Sequence, residues 1–227
     1  MKAALLLLAL LSSPVLAVVP EVEFDPHLGA SVPADLRFRE ARLGDYYGGA
    51  PAVLVLGYLG CVNLCGTTLT GVAEALRDTG LNAGRDYTAL FVSVDPRDEQ
   101  APAEQRPGWH FLTGAVAAAK VAAVIGFRYH FEKESGQYAH PAGFVVLTPQ
   151  GKIAQYFEGV RFDAGELKRS LLGAKQGQTQ TSFQRLLFVC FHDPLVGKNT
   201  PAVMAGIRIA MAALLLAAGF LAWRRLR

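Results

Sequence analysis

Continuous apolar runs and amphipathic stretches alternate along the middle of the chain. Residues 52–59 and 87–94 are apolar and rich in β-branched side chains, which is typical of buried central strands. Between them, residues 67–79 repeat apolar positions at helical spacing and are followed by Gly80, a suitable helix C-cap. A strand, a helix and a second buried strand predict a right-handed parallel βαβ unit.

The pattern continues with a short strand, an alanine-rich helix, a β-hairpin and a last helix. The hairpin turn is predicted at 149–151, where proline and glycine occur together, and Asp163 is the expected N-cap of the last helix. The order βαβ, α, ββα predicts an α/β protein with a thioredoxin-like fold, in which helices flank a central mixed sheet. These later elements are expected at 109–112, 115–125, 142–148, 152–157 and 163–174.

Hydrophobic segments occupy both ends of the chain. Residues 1–17 have the basic start, apolar core and small terminal residues of a secretory signal peptide, and an uncleaved anchor is the alternative. Residues 201–223 are long and apolar enough to form a transmembrane helix, which the arginine-rich tail 224–227 places with its C-terminus in the cytoplasm. The protein is therefore expected to be anchored in a membrane, with its folded domain exported.

Between these ends we expect three further regions. Residues 18–41 contain three prolines and little periodicity, which indicates an extended N-terminal arm lying over the domain. The thioredoxin-like domain follows at 42–174, and 175–200 form a linker and juxtamembrane segment. Residues 129–134, with three charged side chains, are expected to form a solvated loop.

Charge and cysteine count limit the partners and the cysteine roles that the chain can have. The formal net charge of +3 owes much to the terminal arginines, so nothing indicates a nucleic-acid partner. Three cysteines in an oxidising compartment leave an odd count, with Cys61 and Cys65 as a pair and Cys190 as an extra thiol.

Cys61 and Cys65 follow the first predicted strand, where the chain enters the first helix. Residues four apart at a helix start lie on one side of the first turn, so the two sulfurs can form a disulfide or bind a metal together. The unpaired N–H groups of a helix start favour the thiolate form. Two thiolates select soft ions such as Cu(I), and a plain structural disulfide is the alternative.

His140 is the candidate third ligand. It precedes the strand predicted at 142–148, and in a thioredoxin-like domain the loop entering that strand faces the cysteine loop. Two thiolates and an imidazole suit Cu(I), and with a further oxygen or water ligand they can hold Cu(II). A purely structural histidine is the alternative.

Three features together resemble the SCO/SenC family of thioredoxin-like proteins. They are Cys61-Val62-Asn63-Leu64-Cys65, the strand end at 92–98, and His140 ahead of the segment 143–152. The resemblance covers roughly residues 32–172. Family members usually have proline after the cysteines, where this chain has Val62 and Gly66.

The resemblance implies copper bound by Cys61, Cys65 and His140, in a protein of the bacterial inner membrane whose folded domain faces the periplasm. It further implies delivery of that copper to the binuclear copper site of cytochrome c oxidase subunit II, or to another respiratory copper protein, during oxidase assembly. One alternative is a membrane-tethered thiol–disulfide oxidoreductase, in which Cys61 and Cys65 are the redox-active pair. The other is a binding module that senses copper or redox state.

Three residues outside this set are accessory candidates. Asp95 ends the second strand and either tunes the thiol site or caps a turn, since Asp-Pro is a common turn dipeptide. Cys190 and His192 lie close together ahead of the predicted membrane span. Packing of this segment on the membrane or the domain is the simpler interpretation, and a second copper site is the alternative, because both residues are soft copper ligands.

Overall fold

The computed structural model describes residues 22–60, 64–100, 108–180, 206, 208–216 and 224, with the backbone alone for Leu64 and Cys65. The chain divides into two compact units: one is Pro20–Thr181, and the other combines Met1–Val19 with Ser182–Arg227. In the second unit, residues 208–216 are helical.

Neither hydrophobic end of the chain is tested by the structure. Within the described ranges, no helix is both long and apolar enough to cross a membrane. The signal peptide predicted at 1–17 lies outside those ranges, and the span predicted at 201–223 lies partly outside them. Both assignments stay predictions.

A five-stranded mixed sheet forms the centre of the unit Pro20–Thr181. Its strands are β1 (Ala52–Gly57), β2 (Thr88–Ser93), β3 (Trp109–Leu112), β6 (Gly143–Leu147) and β7 (Ile153–Glu158). They lie in the order β3-β2-β1-β6-β7. The first three are parallel, whereas β6 pairs antiparallel with both β1 and β7. The predicted thioredoxin-like sheet is confirmed.

Three helices cover the two faces of this sheet. They are α1 (Leu64–Asp78), α2 (Ala115–Val124) and α3 (Ala164–Lys175). Because side chains alternate along a strand, Val53 and Val55 of β1 pack on the same side as residues of α1 and α3. Leu54 and Leu56 face the opposite side, together with residues of α2. As predicted, Asp163 caps α3 by accepting a hydrogen bond from the Glu166 N–H at 2.6 Å.

The N-terminal arm is part of the core rather than a layer over it. Four of its apolar side chains are buried among residues of α2 and the sheet: Phe24, Val32, Leu36 and Phe38. Isolated bridges join Phe24 to Phe127 and Ser31 to Lys152. The arm ends at a short 3-10 helix, Leu43–Tyr46, in which Leu43 is fully buried.

The loop predicted at 129–134 is a β-hairpin instead, whereas the predicted solvent exposure is confirmed for residues 131–134. Strands β4 (His130–Glu132) and β5 (Gln137–Ala139) form a two-stranded antiparallel sheet there. Aromatic and polar residues alternate from Tyr129 to Glu132, and Gly136 adopts the positive φ of +67° in the turn between the strands. We call residues 130–139 the β4–β5 hairpin.

Candidate metal centre

One edge of the central sheet collects the segments that carry the predicted chemistry. Since β1 and β2 are parallel, their last residues, Gly57 and Ser93, are register partners at the same edge. Strand β6 runs antiparallel to β1, so its first residue, Gly143, also lies at this edge. The cysteine segment, residues 94–98 and His140 therefore emerge near one another.

The cysteine segment joins β1 to α1. Helix α1 begins at Leu64, three residues earlier than predicted, so the backbone of Cys65 lies in its first turn. The first N–H groups of a helix have no partner within the helix, and they stabilise a nearby thiolate. Cys61 and the side chain of Cys65 lie outside the described residues, as do Cys190 and His192. Their predicted roles therefore stay predictions.

The ring of His140 is held between two aromatic side chains. Phe127 stacks on it with a centroid distance of 5.7 Å, and Tyr58 meets it edge-on at 5.8 Å. Its Nδ1 lies 3.0 Å from the Pro141 carbonyl oxygen. A carbonyl can only accept, so Nδ1 carries the proton, and in the neutral ring Nε2 carries the lone pair.

Burial lowers the pKa of His140, against the opposing effect of its hydrogen bond to Pro141. The imidazole is therefore neutral at pH 7, the form in which histidine binds metals. A backbone carbonyl that accepts from the other ring nitrogen is also the usual arrangement around a metal-binding histidine.

Tyr58 connects the cysteine side of this edge to the histidine side. It directly follows β1 and precedes Cys61 by three residues. Besides its contact with His140, its ring meets the Tyr138 ring at 5.8 Å, and its hydroxyl donates to Gln137 Oε1 at 2.6 Å. One buried side chain thus contacts both the β4–β5 hairpin and the candidate ligand that follows it.

Asp95 is engaged in a turn. Its carboxylate accepts from the Arg97 backbone N–H at 2.8 Å and from the Arg97 guanidinium, with an Nη2 to Oδ2 distance of 2.6 Å. Burial raises the pKa of Asp95, but these hydrogen bonds outweigh it and hold the pKa below its usual range. Two roles are predicted for Asp95, tuning of the thiol site and capping of a turn, and this geometry favours the turn cap.

Asp98 is a residue to which the sequence reasoning gave no role. Its Oδ2 accepts from the Leu59 backbone N–H at 2.7 Å and from the Ser93 hydroxyl at 2.6 Å. It therefore ties the start of the cysteine segment to the end of β2. The signal available in the sequence was a carboxylate just beyond a strand that runs parallel to β1, because such strand ends lie side by side.

Within the part of the chain that the structure describes, no three His, Cys, Asp or Glu side chains are grouped so that they could hold a metal ion. Neither predicted cysteine ligand is included in that statement. The described part of this edge thus supplies one candidate metal ligand, the imidazole of His140, and the contacts that hold it.

The fold is that of a thioredoxin-like protein, and in this chain the first helix follows a segment that contains two cysteines. The SCO1/SenC family model matches residues 40–173, more than half of the chain. The protein therefore belongs to the SCO1/SenC family. A search of curated proteins finds no significant match.

Solved structures share the fold at low sequence identity. A candidate electron transfer protein from Aquifex aeolicus VF5 is 21% identical, with a TM-score of 0.57, and the match covers 67% of this chain and 96% of that one. Arabidopsis thaliana ScoI with copper bound is 20% identical with a TM-score of 0.50, covering 59% and 88% of the two chains. BsSco, a member of the Sco family of cytochrome c oxidase assembly proteins in which a disulfide switch was identified, is 18% identical with a TM-score of 0.50, covering 67% and 96%.

Proposed function

We propose that this protein is a copper metallochaperone that holds copper through Cys61, Cys65 and His140. Two thiolates and a neutral imidazole form a soft ligand set that favours Cu(I) and, with an added oxygen or water ligand, accepts Cu(II). Here copper is the cargo that the protein binds and hands on. No catalytic turnover is required for this role.

The setting of His140 is the observation that carries this proposal. Its ring is oriented by Phe127 and Tyr58, its Nδ1 is committed to the Pro141 carbonyl, and burial favours its neutral form. A histidine held in this way needs little reorganisation to present Nε2 to a metal.

Family membership supports copper as the metal and oxidase assembly as the context. The matched range, residues 40–173, spans the positions of Cys61, Cys65 and His140, and the similar Arabidopsis structure contains copper. We propose the binuclear copper site of cytochrome c oxidase subunit II as the recipient, or else another respiratory copper protein. The predicted signal peptide and C-terminal span would keep the domain in the periplasm beside such a membrane-bound partner.

A second candidate function is the reduction of a partner disulfide. The position of Cys65 in the first turn of α1 favours it, because a helix start lowers the pKa of a thiol. In this reaction Cys61 and Cys65 are oxidised to a disulfide, while the partner's disulfide takes up the two electrons and two protons and becomes a dithiol. The disulfide switch identified in BsSco is consistent with such chemistry.

An anaerobic Cu(I) titration of the full chain against a competing chelator tests the proposal. We expect one tightly bound equivalent, with a loss of affinity of at least about tenfold in His140→Ala. His27→Ala is a matched control, because the His27 Nδ1 also lies 2.9 Å from a backbone carbonyl, that of Val124. Binding that is weak, or equal in wild type and His140→Ala, would contradict the metallochaperone and leave disulfide reduction as the better account.

A further inference from the structure

Residues 95–98 contact two segments that lead to the candidate ligands. The cysteine half is the segment that follows β1, and the histidine half is the β4–β5 hairpin, which runs directly into His140. Asp98 contacts the cysteine half, and Arg97 contacts the histidine half.

Asp98 fixes the cysteine half. Its Oδ2 accepts the Leu59 N–H at 2.7 Å, two residues before Cys61, and the Ser93 hydroxyl at 2.6 Å. Both bonds are short, and both donors converge on one oxygen atom. They hold the cysteine segment at the point where it leaves the sheet.

Arg97 fixes the histidine half. Its guanidinium lies 5.5 Å from the centroid of the Phe131 ring and 6.0 Å from that of Tyr138, and its Nη1 donates to the Gly136 carbonyl at 3.2 Å. All three partners belong to the β4–β5 hairpin. The buried carboxylate of Asp95 keeps this guanidinium in place through its own hydrogen bonds.

We propose that Arg97 and Asp98 are positioning residues that set the separation between the cysteine pair and His140. Consecutive Cα atoms are held about 3.8 Å apart by a planar peptide. Arg97 and Asp98, which contact one half each, are therefore joined by one planar peptide. A shift of one half is transmitted to the other through this peptide. This proposal rests on the proposed function only where copper binding is the quantity measured.

The test compares four variants of the full chain with the wild type: Asp98→Ala, Asp98→Asn, Arg97→Gln and the control Asp163→Ala. We expect Asp98→Ala and Arg97→Gln to weaken Cu(I) binding about tenfold to a hundredfold and to change the absorption and electron paramagnetic resonance spectra of the Cu(II) form. Asp98→Asn should bind like the wild type, since its amide oxygen can accept the same two hydrogen bonds.

Asp163→Ala separates positioning from general stability. It also removes a carboxylate that accepts a backbone N–H at 2.6 Å, but at the start of α3. We expect it to lower stability and leave copper affinity unchanged. If Asp98→Ala does not fold, Arg97→Gln decides the question.

A metal-free measurement keeps this test separate from the proposed function. In the reduced protein without copper, Arg97→Gln should shift the NMR signals of the His140 ring, and Asp98→Ala those of the 59–65 backbone. A wild type that binds no copper would refute the metallochaperone, and these signals would then decide the positioning role. Unchanged signals, or copper affinities equal to the wild type in both variants, would overturn it.

Discussion

Replacing Phe24 with alanine tests whether the N-terminal arm belongs to the folded core. Phe24 is 2% exposed and makes edge-to-face ring contacts with Phe127 at 5.5 Å and Tyr156 at 5.6 Å. Beside it, the Asp25 N–H donates to the Gly126 carbonyl at 2.7 Å. Phe127 in turn stacks on His140, so the arm supports the candidate site through one intermediate ring.

The size of the effect follows from these contacts. Burial of a phenylalanine side chain contributes about 1.5–3 kcal/mol, and each edge-to-face ring pair adds about 0.5–1.5 kcal/mol. With the cavity left behind, Phe24→Ala should lower the free energy of unfolding by about 3–5 kcal/mol. Phe24→Leu keeps most of the apolar volume and should cost about 1 kcal/mol.

Urea unfolding of the full chain measures this difference. The fluorescence of Trp109, which is 7% exposed, reports on the domain when Trp223 is replaced by phenylalanine throughout. The control is Leu172→Ala on α3, because that side chain is 47% exposed and its removal should change stability by less than about 0.5 kcal/mol. A Phe24→Ala variant as stable as this control would refute a core role for the arm.

Two further predictions concern the backbone and the pH dependence of stability. Gly126 has φ of +63° and an added Cβ would collide with the Asp25 carbonyl, so Gly126→Ala should cost more than about 1 kcal/mol in urea unfolding. Gly136→Ala has similar φ but open space and should cost less; equal losses would contradict the collision. The lowered pKa of Asp95 means that its carboxylate stabilises the fold above the unfolded pKa of about 3.9, and that this contribution is lost as the pH falls through the folded pKa. Asp95→Asn should therefore be less stable than wild type at pH 7, with the gap closing in acid; a gap independent of pH would refute this.

The regular elements of the domain could be predicted because their patterns are strong. Strands β1 and β2 are buried on both faces and read as continuous apolar runs, and α3 has both an apolar stripe and a capping aspartate. The predicted start of α1 is three residues too late. The first turn contains Cys65 and Gly66, residues with little helix propensity, so the sequence pattern does not include it.

Hydrophobic periodicity does not predict the structure of the N-terminal arm or of the β4–β5 hairpin. Phe24 and Phe38 are buried from irregular backbone, which has no repeat to detect. In the hairpin, the alternation from Tyr129 to Glu132 was present, but three-residue strands give a weak signal beside charged neighbours.

The sequence indicates which residues are candidates for the site, but it does not predict the contacts that support them. The location of His140 at this edge of the sheet can be predicted, because its place before β6 follows from topology. The ring contacts of Tyr58 and Phe127, and the hydrogen bond from Leu59 to Asp98, join residues far apart in the chain. Such contacts depend on the packed geometry, which no local pattern encodes.

X-ray absorption at the copper edge of the loaded full chain tests the central claim most directly, because it identifies the ligand atoms themselves. We expect two sulfur neighbours and one imidazole nitrogen in the wild type. The nitrogen should be lost in His140→Ala and retained in His27→Ala. A coordination shell without sulfur, or one unchanged by His140→Ala, would contradict the assignment of Cys61, Cys65 and His140 as the copper ligands.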